Sequence, residues 1–97
     1  MTINTNLEDK KLTIALEGRL DTTTAPELEA ELSKYTDVEE VVMDLKDLEY
    51  ISSAGLRVLL GEQKRMNQQG KMIIKNVNDS IMEVFEITGF VDILTIE

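Results

Sequence analysis

Strand-like and helix-like segments alternate along the chain, and their order constrains the fold more than any other feature of the sequence. Residues 11–17 place Leu12, Ile14 and Leu16 on one side of an extended chain, which is the two-residue period of a half-buried strand. Residues 54–68 instead repeat apolar side chains at helical spacing. The expected elements are strands at 2–7, 11–17, 38–45 and 71–75, helices at about 25–34, 54–68 and 80–88, and a partly extended tail at 91–96 that covers an edge. This alternation predicts an α/β fold in which crossover helices connect parallel strands.

Cap residues mark where the expected helices begin and end. The sequence Thr-Ala-Pro-Glu at residues 24–27 is a capping-box pattern, in which the Thr24 hydroxyl caps the first helix. Residues 78–80 (Asn-Asp-Ser) are expected to cap the third helix. Gly70 and Gly89 are expected to end the second and third helices.

The composition excludes several classes of function. The 97 residues suffice for one domain, spanning 1–97, and include neither Cys nor His. Disulfides, thiolate metal sites, Cys nucleophiles and His-based acid/base catalysis are therefore excluded. The net charge of −9 argues against nucleic acid and anionic membranes as partners. It indicates either a partner with a basic docking face or an acidity that only keeps the protein soluble. Because no secretory leader and no membrane-spanning segment are recognisable, the chain is expected to be cytoplasmic.

The middle of the chain offers the best-placed carboxylates. The apolar run 41–43 is typical of a strand covered on both faces, and Asp44 and Asp47 are expected to lie where that strand ends. Ligands of open α/β sheets bind at the carboxyl ends of strands, but two carboxylates are a weak signal for a metal ion. Turn formation is the favoured explanation. No Gly-rich phosphate loop is present, so we expect no metal, no cofactor and no enzymatic activity.

The remaining candidate site is the pair Ser52 and Ser53 at the start of the second helix. Backbone N–H groups at a helix start are unpaired, and the helix dipole adds partial positive charge, so a phosphate is stabilised there. The small residues Ala54 and Gly55 are expected to leave the hydroxyl accessible to another protein. Two interpretations are open at this point: a phosphorylation switch, or a structural cap, since Ser is a preferred N-cap residue.

Three segments of the chain resemble motifs of one family. Residues 44–60, centred on Ile-Ser-Ser-Ala-Gly-Leu at 51–56, resemble the signature of the STAS family, the anti-sigma factor antagonists. Residues 18–28 and 85–90 are similar to the motifs on either side, in the usual order and spacing. The resemblance covers essentially the whole chain. It implies a single-domain STAS-like fold, with a mixed sheet of four to five strands and helices packed against it.

The resemblance also implies a partner-switching mechanism. The unphosphorylated antagonist binds an anti-sigma factor that is itself a serine kinase, and a sigma factor is thereby released. The kinase then phosphorylates the antagonist, the complex dissociates, and a serine phosphatase resets the cycle. The family's acceptor position matches Ser53. Family members often carry Asp at the position of Ser52, and the serine here adds a second hydroxyl, so Ser52 is the second choice of acceptor.

The resemblance implies a docking face around the acceptor. Arg57 is expected either to pair with an acidic residue of the partner or to be an ordinary solvated side chain. An alternative hypothesis is a STAS accessory subunit of a lipid or anion transport system, and the intact acceptor serine favours the antagonist. The expected partner-binding residues are Asp21, Thr22, Thr23, Ser52, Ser53, Ala54, Leu56 and Arg57.

Overall fold

A four-stranded mixed sheet is the framework of the molecule, and the computed structural model describes all 97 residues. The elements are β1 (Thr2–Glu8), β2 (Lys11–Leu20), α1 (Ala25–Leu32), β3 (Glu40–Ile51), α2 (Ser53–Gln69), β4 (Lys71–Lys75), α3 (Asp79–Thr88) and a short 3₁₀ turn (Phe90–Asp92). The strands lie in the order β1-β2-β3-β4: β1 is antiparallel to β2, whereas β2, β3 and β4 are parallel. The predicted α/β class and mixed sheet are confirmed.

The hydrophobic core lies between one face of the sheet and the three helices. Alternate residues of the strands, such as Ile14 and Met43, join helix residues such as Leu59 and Phe85 in one cluster of 21 buried side chains. Val42 lies outside this cluster, although it is only 7% exposed. The strand pairing places it between neighbouring strands on the opposite face. The prediction that other elements cover both faces of the third strand is therefore wrong. Helices cover one face only, and Val42 on the other face is buried by side chains of the adjacent strands β2 and β4.

Strand β3 is longer than the sequence pattern predicts. Asp44 and Asp47 lie within it, and parallel pairing with β2 continues through two register shifts to the pair Leu20 and Ile51. The shorter β4 ends opposite Asp44, whose carboxylate accepts a hydrogen bond from Asn76 Nδ2 at 3.1 Å. Because β3 extends as far as the end of β2, α2 begins beside the end of β2.

Most of the predicted helix ends are confirmed. Asn78 caps α3 by accepting from the Ile81 N–H at 3.0 Å, and Gly89 ends that helix in the left-handed conformation. Gly70 ends α2 where a Cβ atom would stand 1.8 Å from the Glu39 carbonyl oxygen, so only glycine fits.

The end of α1 and the C-terminal tail differ in part from the prediction. Helix α1 ends at Leu32 rather than near residue 34. The tail forms a 3₁₀ turn first, and its Ile96 then makes a bridge to Ile74 of β4, so an edge of the sheet is covered as predicted. No helix combines the length and apolar character needed to span a membrane.

Candidate functional site

The candidate site lies where β2 and β3 end and α2 begins. The Ser52 N–H donates to the Leu20 carbonyl at 2.9 Å, which ties the start of α2 to the end of β2. Ser52 is the N-cap residue: its backbone is extended, and its hydroxyl accepts from the Gly55 N–H at 3.4 Å. Its side chain is partly buried. Of the two interpretations of the serine pair, the structural cap therefore describes Ser52.

Ser53 occupies a different position from its neighbour. It is the first residue of α2, it is exposed, and its hydroxyl makes no hydrogen bond within the protein. The backbone N–H groups of Ser53 and Ala54, the first two residues of α2, have no partner within the helix. The structure thus separates the two serines, and Ser53 is the hydroxyl that another protein can reach.

Gly55 has a packing role that the sequence interpretation did not foresee. It is buried rather than exposed, and a Cβ atom there would come within 2.7 Å of Leu20 Cγ and 2.9 Å of Ile51 Cγ1. Its small size allows α2 to pack closely on the strand ends. Of the two small residues, only Ala54 is partly exposed beside the hydroxyl.

The loop between β2 and α1 forms the second wall of the site. The Asp21 carboxylate accepts from the backbone N–H groups of Thr23 at 3.0 Å and Thr24 at 3.1 Å. This arrangement holds the loop in one conformation and leaves Thr22 and Thr23 exposed. The same bonds lower the pKa of Asp21 below its ordinary value of 3.8, with the Thr24 N–H as the largest cause. The site therefore carries a fixed negative charge at neutral pH.

The predicted capping box is absent from α1. Thr24 precedes the helix, but its hydroxyl donates to the Arg19 carbonyl at 2.7 Å and accepts from the Asp21 N–H at 2.8 Å. It caps no N–H of the helix. The hydroxyl is turned toward the loop because the loop backbone offers it closer partners.

Arg19 and Tyr50 also flank the site, and the sequence interpretation missed both. Strand pairing sets them side by side, with the Arg19 guanidinium carbon 4.1 Å from the centre of the Tyr50 ring. Arg19 Nε lies 3.9 Å from an Asp21 carboxylate oxygen. Tyr50 is 41% exposed although it is large and apolar, which is the kind of side chain that anchors protein interfaces. The sequence signal that could have indicated Tyr50 was its position as a lone aromatic residue just before the serine pair.

The two docking candidates farther along α2 have opposite orientations. Arg57 is exposed and lines a shallow hollow of about 260 Å³ between α1 and α2, together with Thr22, Pro26 and Glu29. Leu56 points toward the sheet, is 7% exposed and belongs to the core. The prediction that Leu56 belongs to the docking face is therefore wrong, because the helix directs its side chain inward.

Comparison with known proteins decides the family. The STAS domain family matches residues 2–97. The chain belongs to the STAS domain family. Its fold and its family were both predicted from the sequence, and both are confirmed.

Two relatives and one solved structure are similar to this STAS domain. It is 43% identical over 91 residues to BtrV, a protein of Bordetella bronchiseptica named as an anti-sigma factor antagonist, covering 91% of this chain and 78% of BtrV. It is 34% identical to the anti-sigma-B factor antagonist of Staphylococcus aureus, covering 97% and 90% of the two chains. The Bacillus protein SpoIIAA, solved in its phosphorylated form, shares the fold with a TM-score of 0.78 at 19% identity, covering 99% and 91%.

Proposed function

We propose that this STAS domain is an anti-sigma factor antagonist that binds an anti-sigma factor with serine kinase activity and is released by phosphorylation of Ser53. The observation that carries the proposal is the exposed, unbonded Ser53 hydroxyl at the first residue of α2, beside a neighbour that takes the capping role. The names of relatives at 43% and 34% identity support it. So does the existence of a protein of this fold in phosphorylated form.

In the unphosphorylated state, the region around Ser53 suits close docking. Thr22, Thr23, Ser53 and Ala54 are small and uncharged, so a partner surface can contact these four side chains without desolvating a charge on them. Tyr50, three residues before Ser53 and near the end of β3, supplies an exposed aromatic surface. We define the docking surface as Arg19, Asp21, Thr22, Thr23, Tyr50, Ser52, Ser53, Ala54 and Arg57.

Phosphorylation changes the charge of this surface at its centre. Transfer of the ATP γ-phosphoryl group to Ser53 Oγ releases ADP and the hydroxyl proton, and it leaves on Ser53 a group that carries nearly two negative charges. The helix N-terminus stabilises that phosphate in the free protein. In the complex, however, the phosphate must lose water, and the Asp21 carboxylate adds like charge. Phosphorylation therefore favours dissociation, and a serine phosphatase restores the binding state.

The proposed activity is binding alone, without catalysis or a cofactor. The chain has no His or Cys, and Ser53 has no base in hydrogen-bond contact that would make it a nucleophile. Its role in the cycle is to accept a phosphoryl group from the partner kinase. Because sigma factors act on RNA polymerase, the proposal places the chain in the cytoplasm.

Incubation with the cognate anti-sigma kinase and ATP, followed by mass spectrometry, tests the proposal. One phosphoryl group is expected on Ser53 and none in Ser53→Ala. The matched control is Ser52→Asn, which removes the second hydroxyl but keeps a capping oxygen, and it is expected to be phosphorylated normally. Ser53→Asp is expected to weaken the complex. Phosphorylation of Ser52 instead, or wild-type affinity of Ser53→Asp, contradicts the proposal.

A further inference from the structure

The two arginines of the docking surface are held in different ways. Arg19 stacks on Tyr50 and lies near the Asp21 carboxylate. Arg57 takes part in none of the four ion pairs of the molecule, donates no side-chain hydrogen bond and is exposed. Of the two, Arg57 is therefore the cation that is free to bind a new anion near Ser53.

Helix geometry places Arg57 within reach of the Ser53 side chain. Both residues belong to α2, and they are four positions apart. Side chains at this spacing lie on the same helix face, with Cβ atoms about 5–6 Å apart. A helix pair of this kind is also most favourable when the acidic group is N-terminal to the basic group, as a phosphate on Ser53 would be to Arg57. A guanidinium group matches phosphate oxygens in a two-pronged hydrogen-bonded arrangement.

We propose, on the basis of the function proposed above, that Arg57 receives the Ser53 phosphate within the same helix. In the unphosphorylated chain, the Arg57 guanidinium is available to an acidic group of the partner. After phosphorylation, the guanidinium pairs with the phosphate at the helix start. The switch thus removes an attractive contact from the docking surface as well as adding a repulsive charge.

Other charged groups near Ser53 set the background for this pair. Asp21 opposes the phosphate from the loop before α1, and Arg19 in the same region is already paired with Asp21 and Tyr50. Glu29 of α1 lines the same hollows as Arg57 but forms no ion pair with it. None of these groups changes when Arg57 is replaced, so an Arg57 variant isolates the contribution of the pair.

The test uses the full chain with phosphoserine incorporated at position 53 during translation, so that no kinase or partner is needed. The pKa of the second phosphate ionisation is measured by ³¹P NMR titration. A nearby cation favours the dianion, so this pKa is expected to be about 0.3 lower in the wild-type background than in Arg57→Gln. Arg57→Lys is expected to keep part of the difference, because it keeps the charge but loses the two-pronged geometry.

Lys64→Gln is the matched control. It removes the same charge from an exposed position of α2 about three turns from Ser53, and it is expected to leave the phosphate pKa at the wild-type value. Equal pKa values in the wild-type and Arg57→Gln backgrounds would overturn the proposal. That result leaves the kinase experiment on Ser53 unaffected. Conversely, failure of the kinase to modify Ser53 contradicts the proposed function but does not alter this titration.

Discussion

Gly55 lies directly against Leu20, because a Cβ atom at position 55 would stand 2.7 Å from Leu20 Cγ. Leu20 is the last residue of β2, and its carbonyl also accepts the Ser52 N–H. The two contacts seat the start of α2 on the end of β2. They therefore fix Ser53 relative to Thr22 and Thr23, which follow Leu20 in the next loop.

Replacement of Gly55 by Ala is expected to lower the free energy of unfolding by roughly 1–3 kcal/mol, because the added methyl group overpacks the contact with Leu20. Gly61→Ala is the matched control in the same helix, where a Cβ atom would meet nothing within 4 Å. It is expected to raise stability by up to about 1 kcal/mol, since Ala is the better helix former. Urea unfolding measures both, and a Gly55→Ala protein as stable as Gly61→Ala contradicts the proposed contact.

The two serines are expected to respond differently to replacement by Ala. Ser52→Ala removes the helix cap and is expected to cost about 0.5–1 kcal/mol, at the lower end of the usual range because the bond to the Gly55 N–H is long at 3.4 Å. Ser53→Ala removes no hydrogen bond and is expected to change stability by less than about 0.5 kcal/mol. Thermal and urea unfolding measure both variants. A larger loss for Ser53→Ala than for Ser52→Ala would reverse the assigned roles.

Local patterns predicted the elements whose causes are local. The alternation of Leu12, Ile14 and Leu16 predicted the first seven residues of β2, although the strand continues to Leu20, and the caps at Asn78 and Gly89 defined α3 to within a residue. The true end of β3 was not predictable in this way, because it depends on pairing between residues distant in sequence, such as Leu20 with Ile51. Polar residues such as Asp44 and Asp47 resembled a strand end, and only the neighbouring strand shows that the extended chain continues.

The candidate site was predictable to a similar extent. Ser53 and Arg57 were chosen from the motif, and the structure places both at the surface. Arg19 and Tyr50 were missed, since they become neighbours only through the register between β2 and β3. Leu56 was included wrongly, although its spacing with Leu59 and Met66 already predicted an inward orientation. The register of β2 and β3 places Arg19 beside Tyr50, and the position of Leu56 around the helix turns its side chain inward. Residue type alone indicates neither.

The lowered pKa of Asp21 predicts a pH dependence of stability. A carboxyl group whose pKa is lower in the folded state adds stability above its ordinary pKa of 3.8, and this stability is lost as the pH falls through the lowered value. Asp21→Ala is therefore expected to be less stable than wild type at pH 7, with a difference that shrinks below pH 4. Urea unfolding between pH 7 and pH 2.5 measures this trend.

Asp37→Ala is the matched control for that series. Asp37 is exposed, and its carboxylate makes no hydrogen bond or ion pair. This variant is expected to follow the wild-type stability curve across the same pH range. If the difference between wild type and Asp21→Ala stays constant down to pH 2.5, the bonds from Thr23 and Thr24 are not the source of the Asp21 stabilisation.

Tyr50 is expected to be an energetic anchor of the docking surface. It is 41% exposed, and its ring faces the Arg19 guanidinium at 4.1 Å, so it is held in place before any partner arrives. Aromatic side chains presented in this way often contribute more than 1 kcal/mol to an interface. Tyr50→Ala is therefore expected to weaken binding to the anti-sigma factor about tenfold or more, as measured by calorimetry.

Two further variants separate anchoring by the Tyr50 ring from a general loss of exposed apolar surface. Tyr50→Phe keeps the ring and its contact with Arg19, so its affinity is expected to remain within about threefold of wild type. Leu7 is an exposed apolar residue of β1 and pairs with Leu12, near the opposite end of β2. Leu7→Ala is therefore expected to leave binding unchanged. Equal losses for Tyr50→Ala and Leu7→Ala would show that the effect is not local, because only Tyr50 adjoins the start of α2.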